Sequence, residues 1–317
     1  MRLDLCEGAA KAKGRAVKMM AGMYAAISGL SANQAMLNET AADLANVNTV
    51  GYKGASVTFA DSLTQVLRGA SGTTSSNGGS NPVQIGLGVQ VSATRNEMTE
   101  GSFQSTNNPL DVAIEGSGFL RVGAGEPPAK EPFTTGLPAN FHYTRAGDLN
   151  SNTQGFLTTQ AGEYVIGRNA VANETETGTT YTAGKEDSYI MIPPGSANVS
   201  IGQDGSVNYT DENPESKTFQ QRVTAGYLSL ATFANESGLE RLGGSLWAET
   251  TNSGAAIVGT PATIGFGQTI GGELEMSNVD LAREMTNMIT AERGYQANSR
   301  VITTASEMLQ AVVSMVQ

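Results

Sequence analysis

Two residue types that build most enzyme sites are almost missing. The 317 residues hold one cysteine, Cys6, and one histidine, His142. A lone cysteine excludes a disulfide framework and a multi-cysteine metal site. A lone histidine excludes multi-histidine metal sites and most serine or cysteine triads. Basic residues are also few: 19 Lys and Arg against 30 Asp and Glu give a net charge of -11. Nucleic acid is therefore not an expected partner, because phosphate binding needs a concentrated basic face. The one basic cluster, Lys11, Lys13, Arg15 and Lys18, reads as a solvated tail. No apolar run reaches the length of a membrane-spanning helix. The stretch RAVKMMAGMYAAISGLSA has a basic front, but Gly22, Ser28 and Gly29 dilute its apolar middle. Its apolar positions continue in register past any cleavage site, so it reads as a helix rather than a secretory signal. Residues 1–18 read as an uncertain N-terminal extension, with Met19, Met20 and Met23 as alternative starts.

What the chain has is glycine, 38 residues of it, and two ends with sevenfold spacing. At the front, Met23, Leu30, Leu37 and Leu44 recur every seven residues, with Ile27 and Ala41 at the four-residue step and Gln34 interrupting it. This predicts a helix over residues 22–46, stopped by Asn46, Asn48 and Gly51, which tolerate positive φ. At the back, Leu281, Met288, Tyr295, Ile302, Leu309 and Val316 recur at the same interval, with Met285 and Val313 at a second position. This predicts a helix over 279–316, begun by a capping-box-like Ser277 and Asp280. Glu292, Ser299 and Ser306 keep the seam narrow. Such a helix needs a partner for its apolar face. Periodicity leaves two readings open: the two terminal helices pair within one molecule, or the seams pack against other copies.

Between the ends, GASGTTSSNGGSNP reads as a loop and VQIGLGVQV, with Val83, Ile85, Leu87, Val89 and Val91 alternating, as one half-buried strand. LDVAIEG, GFLRVG, FHYTRAGD, EYVIG, YIMIP, SVNY, AGYLSLATFA and SLWAET read as further strands. The class is α+β: long terminal helices pairing as a coiled-coil-like inner domain around a central antiparallel body, sandwich-like or barrel-like. The helical domain with its linker is placed at 19–75 and 270–317. The outer β-rich domain is placed at 76–166 with 200–269, and residues 167–199 form a small variable excursion. No catalytic, cofactor or metal site stands out. His142 reads as an ordinary strand residue and Trp247 as core. The acidic pairs Asp111 with Glu115, and Asp204 with Asp211, read as surface charge, and no glycine pair is followed by a helix as a dinucleotide site requires.

YAAISGLSANQAMLNETAADLANVNTVGYK at the front and GGELEMSNVDLAREMTNMITAERGYQANSRVITTASEMLQ at the back resemble the terminal signatures of the flagellar rod–hook family of axial proteins. NPVQIGLGVQV, EGSFQSTNNPLDVAIEGSGFL and YTRAGDLNSNTQGFLTTQAGEYVIG are similar to that family's β domain, so the likeness runs from about Met20 to Gln317. It implies a structural subunit rather than an enzyme, without cofactor, exported by the type III apparatus with no cleaved signal and located in the flagellum. It implies a head-to-tail homopolymer whose neighbours are other axial proteins, the distal rod and the hook–filament junction, with the hook cap guiding assembly. TFADSLTQVLRGASG followed by NPVQIGLGVQV looks like the hook type, the joint that passes torque from rod to filament around the export channel; the distal rod is the alternative. An adhesin-like surface protein is a remoter reading. The resemblance implies that Met23, Ile27, Leu30, Leu37, Leu44, Leu281, Met285, Met288, Tyr295, Ile302, Leu309 and Val316 make the inner polymer contacts. It also implies that Asn46, Asn48, Gly51, Tyr52 and Lys53 join the inner helix to the β domain.

Overall fold

All ten prolines fall between positions 82 and 261, so neither end of the chain carries a residue that breaks a helix. A computed structural model of the protein describes residues 2–73, 78–128, 133–134, 136–138, 140–175, 178–212 and 219–316. In it α1 spans Arg2–Ala45 and α2 spans Leu281–Val316. At 1.5 Å per residue these are about 66 Å and about 54 Å long. The first helix begins well before the expected residue 22, because residues 9–21 are rich in Ala, Lys, Arg and Met, which favour helix without needing a packed face. The second is capped by Asp280, not Ser277. The Asp280 Oδ1 accepts the amides of Ala282 at 2.9 Å and Arg283 at 3.3 Å, while the Ser277 hydroxyl accepts only the amide of Val279.

The chain divides into two compact units. One holds α1, residues 55–95 and α2; the other holds residues 46–54 and 96–279. The chain thus passes between units at four points. Residues 76–95, placed with the outer β domain from sequence, cluster with the helices, and residues 270–279, placed with the helices, cluster with the β body.

In the first unit, β1 (Ala55–Asp61) pairs with β4 (Val89–Asn96), and β2 (Thr64–Arg68) with β3 (Val83–Gly86). The expected single strand over 83–91 is therefore two strands on different partners. Gly88, at φ +136°, makes the break, in a conformation that L side chains rarely adopt. Its flank is pressed so closely on Ser28 of α1 that a Cβ there would collide with the hydroxyl.

The second unit is built from short strands in chain order. They are β5 (Phe103–Ser105), β6 (Val112–Glu115), β7 (Phe119–Gly123), β8 (His142–Thr144), β9 (Leu149–Ser151) and β10 (Leu157–Thr159). Next come β11 (Tyr164–Thr175), β12 (Gly178–Tyr189), β13 (Ala197–Ile201), β14 (Ser206–Thr210), β15 (Arg222–Leu228) and β16 (Leu230–Thr232). The last are β17 (Glu240–Gly243), β18 (Leu246–Ala248), β19 (Ile257–Gly259), β20 (Gln268–Gly271) and β21 (Glu273–Glu275). Thirteen of them form one antiparallel sheet whose main path is β13-β14-β15-β11-β7-β8-β18-β17. The polar excursion is made by β11 and β12, twelve residues each, paired antiparallel with a register shift between Arg168 and Ala170. YIMIP yields only the end of β12 and an isolated bridge between Phe156 and Met191.

The core of this unit is aliphatic on one side, with Val112, Ile114, Leu120, Val122, Leu157, Leu228 and Leu230 among its buried members. A second cluster is aromatic: Phe119, Tyr143, Phe233 and Trp247 with Ala231 and Leu239. Tyr143 meets Phe233 edge to face at 4.8 Å.

Candidate functional site

The segment ANVNTVGYKG leaves α1 and enters the β unit as a tight turn. The Thr49 amide donates to Asn46 O at 3.0 Å and its hydroxyl meets Asn46 Oδ1 at 3.1 Å. Gly51 follows at φ +65°. A Cβ on Gly51 would run into the backbone of Arg145 and Ala146, so both the conformation and the space require glycine. Asn46 is half-buried and Asn48 exposed, whereas Gly51, Tyr52 and Lys53 are all buried.

Lys53 is 1% exposed and Glu275 is 0% exposed, and their Nζ and Oε1 are 2.6 Å apart. Every remaining demand of this carboxylate is met. Arg145 Nη1 donates to its Oε2 at 3.2 Å, and the Gly101 amide donates to Oε1 at 3.0 Å. Lys53 also donates to Thr99 O at 2.7 Å, and Arg145 Nη2 to Gly116 O at 2.7 Å. Burial is the largest influence on Lys53 and pushes its pKa down; Glu275 pulls it back up and Arg145 adds to the lowering. Two buried cations thus share one buried anion.

Around this cluster the two ends of the sequence are stitched together. The Gly51 amide donates to Glu275 O at 2.8 Å. Asn278 accepts the Gly54 amide at 2.8 Å and donates to Glu97 O at 2.8 Å. Arg241 donates to Lys53 O at 2.6 Å and lies 4.9 Å from the Tyr52 ring centre. None of these partners is visible from the motif itself, because Glu275 lies 222 residues from Lys53. The available signal was a lysine between Tyr52 and Gly54 in an otherwise uncharged turn.

In the helical unit, α1 and α2 pack on each other through small and polar residues. Ala26, Gly29, Ala32, Thr40 and Asp43 are buried on α1, and Glu284, Ala291 and Ala305 on α2. The apolar heptad residues lie beside this contact rather than in it. Met23, Leu30, Leu37, Leu44, Met288, Ile302 and Leu309 are half-buried. Ile27, Leu281, Met285 and Tyr295 are exposed, and the Val316 side chain lies outside the described ones. Ile289, Val301, Met308 and Val313 extend the exposed apolar face of α2, Ile289 at 57%. On and beside the β2–β3 hairpin Leu63, Val66, Leu67, Val83 and Ile85 are exposed, and of the alternating set Val91 is also exposed while Leu87 and Val89 are half-buried.

The remaining polar candidates are structural. His142 Nδ1 lies 2.7 Å from Glu163 Oε1 on adjacent parts of the sheet. Trp247 is core, with Arg241 5.2 Å from its ring. Asp111 is buried rather than superficial. It accepts Thr106 Oγ1 at 2.6 Å and Asn108 Nδ2 at 2.8 Å, buckling the turn in which Asn107 has φ +58°. Asp204 accepts the Ser206 hydroxyl at 2.6 Å. Among the described residues no three His, Cys, Asp or Glu side chains are grouped to hold a metal, and no helix is long and apolar enough to cross a membrane.

The two stitched ends and the body between them each match a known family. The family described as "Flagella basal body rod protein" matches residues 23–53. "Flagellar hook protein FlgE/F/G D1 domain" matches 113–209, and "Flagellar basal body rod FlgEFG protein C-terminal" matches 270–315. The flagellar basal-body rod protein FlgG of Bacillus subtilis (strain 168) is 37% identical over 298 residues, covering 94% of this chain and 99% of that protein. The chain belongs to the flagellar rod and hook family of axial proteins. FlgG of Caulobacter vibrioides is 35% identical over 92% of this chain and 98% of its own. The flagellar hook protein FlgE of Borreliella burgdorferi is 25% identical, over 93% of this chain and 99% of its own. Within this family the buried Lys53–Glu275 pair lies across two of the matched regions, the first and the last.

Proposed function

We propose that this chain is a structural subunit of the flagellar distal rod, a straight tubular polymer that encloses the export channel and carries torque outward. The observation that carries the reading is the evenness of the match to rod proteins. The 37% identity to FlgG extends over nearly the whole of both chains without a large insertion in either. The similarity to the hook protein FlgE is lower, and its alignment runs over 451 residues, longer than the whole of this chain. That hook protein therefore carries mass that this chain does not have. The hook reading rests on TFADSLTQVLRGASG running into NPVQIGLGVQV, and it stands second.

Assembly follows from what the single chain leaves uncovered. The half-buried and exposed apolar residues of α1 and α2, from Met23 to Leu44 and from Leu281 to Val313, form the inner contacts between copies in a coiled-coil-like tube. The contact is heterologous and does not close, so copies add head to tail. The turn of Asn46, Asn48, Gly51, Tyr52 and Lys53 ends the inner helix and leads the chain into the β unit. Neighbouring axial proteins at either end, export by the type III apparatus and the absence of chemistry complete the role.

Deleting the gene tests the choice within the family. The distal rod reading predicts basal bodies with truncated rods and no hook, seen by electron microscopy of purified structures. Complete rods that end where a hook should begin would overturn it in favour of the hook.

A further inference from the structure

One five-residue pattern occurs once in each long helix. It is Gly29-Leu30-Ser31-Ala32-Asn33 in α1 and Gly294-Tyr295-Gln296-Ala297-Asn298 in α2. The two copies meet. A Cβ on Gly29 would lie 2.6 Å from Asn298 Nδ2, and a Cβ on Gly294 would lie 2.8 Å from Asn33 Oδ1. Each glycine is thus the notch into which the other helix sets its asparagine. Pairing 29 with 298 and 33 with 294 makes the helices antiparallel and gives the crossing a local twofold character.

We infer that these two G-x-x-A-N sequences form a register lock that fixes α1 against α2 within one subunit. The inference is independent of the choice between rod and hook. Leu, Met and Ala along the rest of the helices would accept several alignments, because apolar contacts are not directional. The Gly–Asn pairs accept one. A slip of one helical turn one way sets Asn33 against Asn298, two amides where the space holds one. A slip the other way sets Gly29 against Gly294 and opens a void, with the loss of contacts that a void entails. Asn33 is held for its part, since its Nδ2 donates to Gly29 O at 2.8 Å.

The same register places two buried carboxylates at one level. Ten residues on along α1 and ten residues back along α2, it sets Asp43 level with Glu284, both buried among the described residues of this unit. Each is satisfied by its own surroundings at that level. Asp43 accepts the Ala55 amide at 3.1 Å, and Glu284 accepts Arg283 Nε at 3.1 Å and Asn287 Nδ2 at 3.2 Å.

The test uses the full chain in axial structures recovered from cells, with Cys6→Ser removing the native thiol. Two double variants, Gly29→Cys with Asn298→Cys and Asn33→Cys with Gly294→Cys, replace each notch and its amide by a cysteine pair at disulfide range. Mild oxidation followed by non-reducing electrophoresis is expected to give a cross-link within one chain for both. A pair displaced by seven residues, Met36→Cys with Asn298→Cys, is expected to give none. Cross-links only between chains, equal cross-linking of the displaced pair, or no cross-link from the matched pairs would each overturn the lock. Independently, Gly29→Val is expected to abolish motility and Gly29→Val with Asn298→Ala to restore it. Full motility of the single variant, or no recovery in the double, would also overturn it.

Discussion

Lys53 and Glu275 are held 2.6 Å apart with both side chains shut off from water, and Arg145 shares the same carboxylate. One residue belongs to the turn that ends α1 and the other to the last strand before α2, so the pair ties together the two ends of a long chain inside the β unit. The three charges are not equivalent. Glu275 is the carboxylate that both buried cations contact, whereas Lys53 is one of two cations on it. Removing one partner of a buried pair costs on the order of 3–5 kcal/mol when the other is left uncompensated. Glu275→Ala is therefore expected to lower the unfolding free energy of the β unit by about that amount, and Lys53→Met by clearly less, because Arg145 still faces the carboxylate. Urea unfolding followed by Trp247 fluorescence measures both; equal losses, or a larger loss for Lys53→Met, would contradict the arrangement.

Gly51 makes a sharper prediction about the same turn. With φ at +65° and the backbone of Ala146 where a Cβ would lie, Gly51→Ala has no relaxed alternative. The backbone term alone is about 1–3 kcal/mol, and the steric term adds to it. A lowered thermal midpoint is expected for Gly51→Ala, while Gly162→Ala measures the conformational term alone, since Gly162 has φ +84° and open space around it. A midpoint for Gly51→Ala no lower than for Gly162→Ala would show that the close approach to residue 146 is not needed.

Tyr143 sets the alkaline limit of the aromatic core. Burial, and then the nearby Glu249, push its pKa up from 10.0 to about 12. A phenol whose pKa is higher in the folded state gives stability that is complete below pH 10 and lost as pH rises toward 12. The urea midpoint of the wild type is expected to fall between pH 10 and 12, and that of Tyr143→Phe to fall less over the same range. Parallel curves would remove Tyr143 from the account.

The helical face makes the functional prediction. Ile289 and Met285 are exposed in the single chain, and Ile302 is half-buried. Charging them, as Ile289→Glu, Met285→Glu or Ile302→Asp, is expected to abolish assembly while the thermal unfolding of the β unit stays unchanged. A charged variant that still builds the axial structure would contradict the proposed inner contacts.

The helices were legible because their sevenfold spacing and the absence of proline are local properties, and α1 ends within a residue of the expected stop. Which face binds which partner was not legible. Leu30, Leu37 and Leu44 dominate the pattern, yet Ala26, Gly29 and Ala32 carry the contact between α1 and α2, because close approach of two backbones selects small residues that a search for apolar periodicity passes over. The alternation at 83–91 marks extended chain, but a single glycine at φ +136° splits it into two strands, and Val83, Ile85 and Val91 are exposed in the single chain. The Lys53–Glu275 pair was hidden by sequence distance, and Asp111 by the assumption that an acidic residue in a turn is solvated. TFADSLTQVLRGASG before NPVQIGLGVQV points to the hook, whereas identity along nearly the whole chain favours the rod.

The most direct measurement is the chemical accessibility of position 289. Ile289→Cys in the Cys6→Ser background would be treated with a maleimide, once as the free subunit and once in assembled axial structures on cells. A polymer whose inner wall is made by these helix faces predicts rapid labelling of the free chain and strong protection in the assembly. Equal labelling in both states would contradict the account, because the apolar face of α2 would then remain in water in the very structure it is held to build.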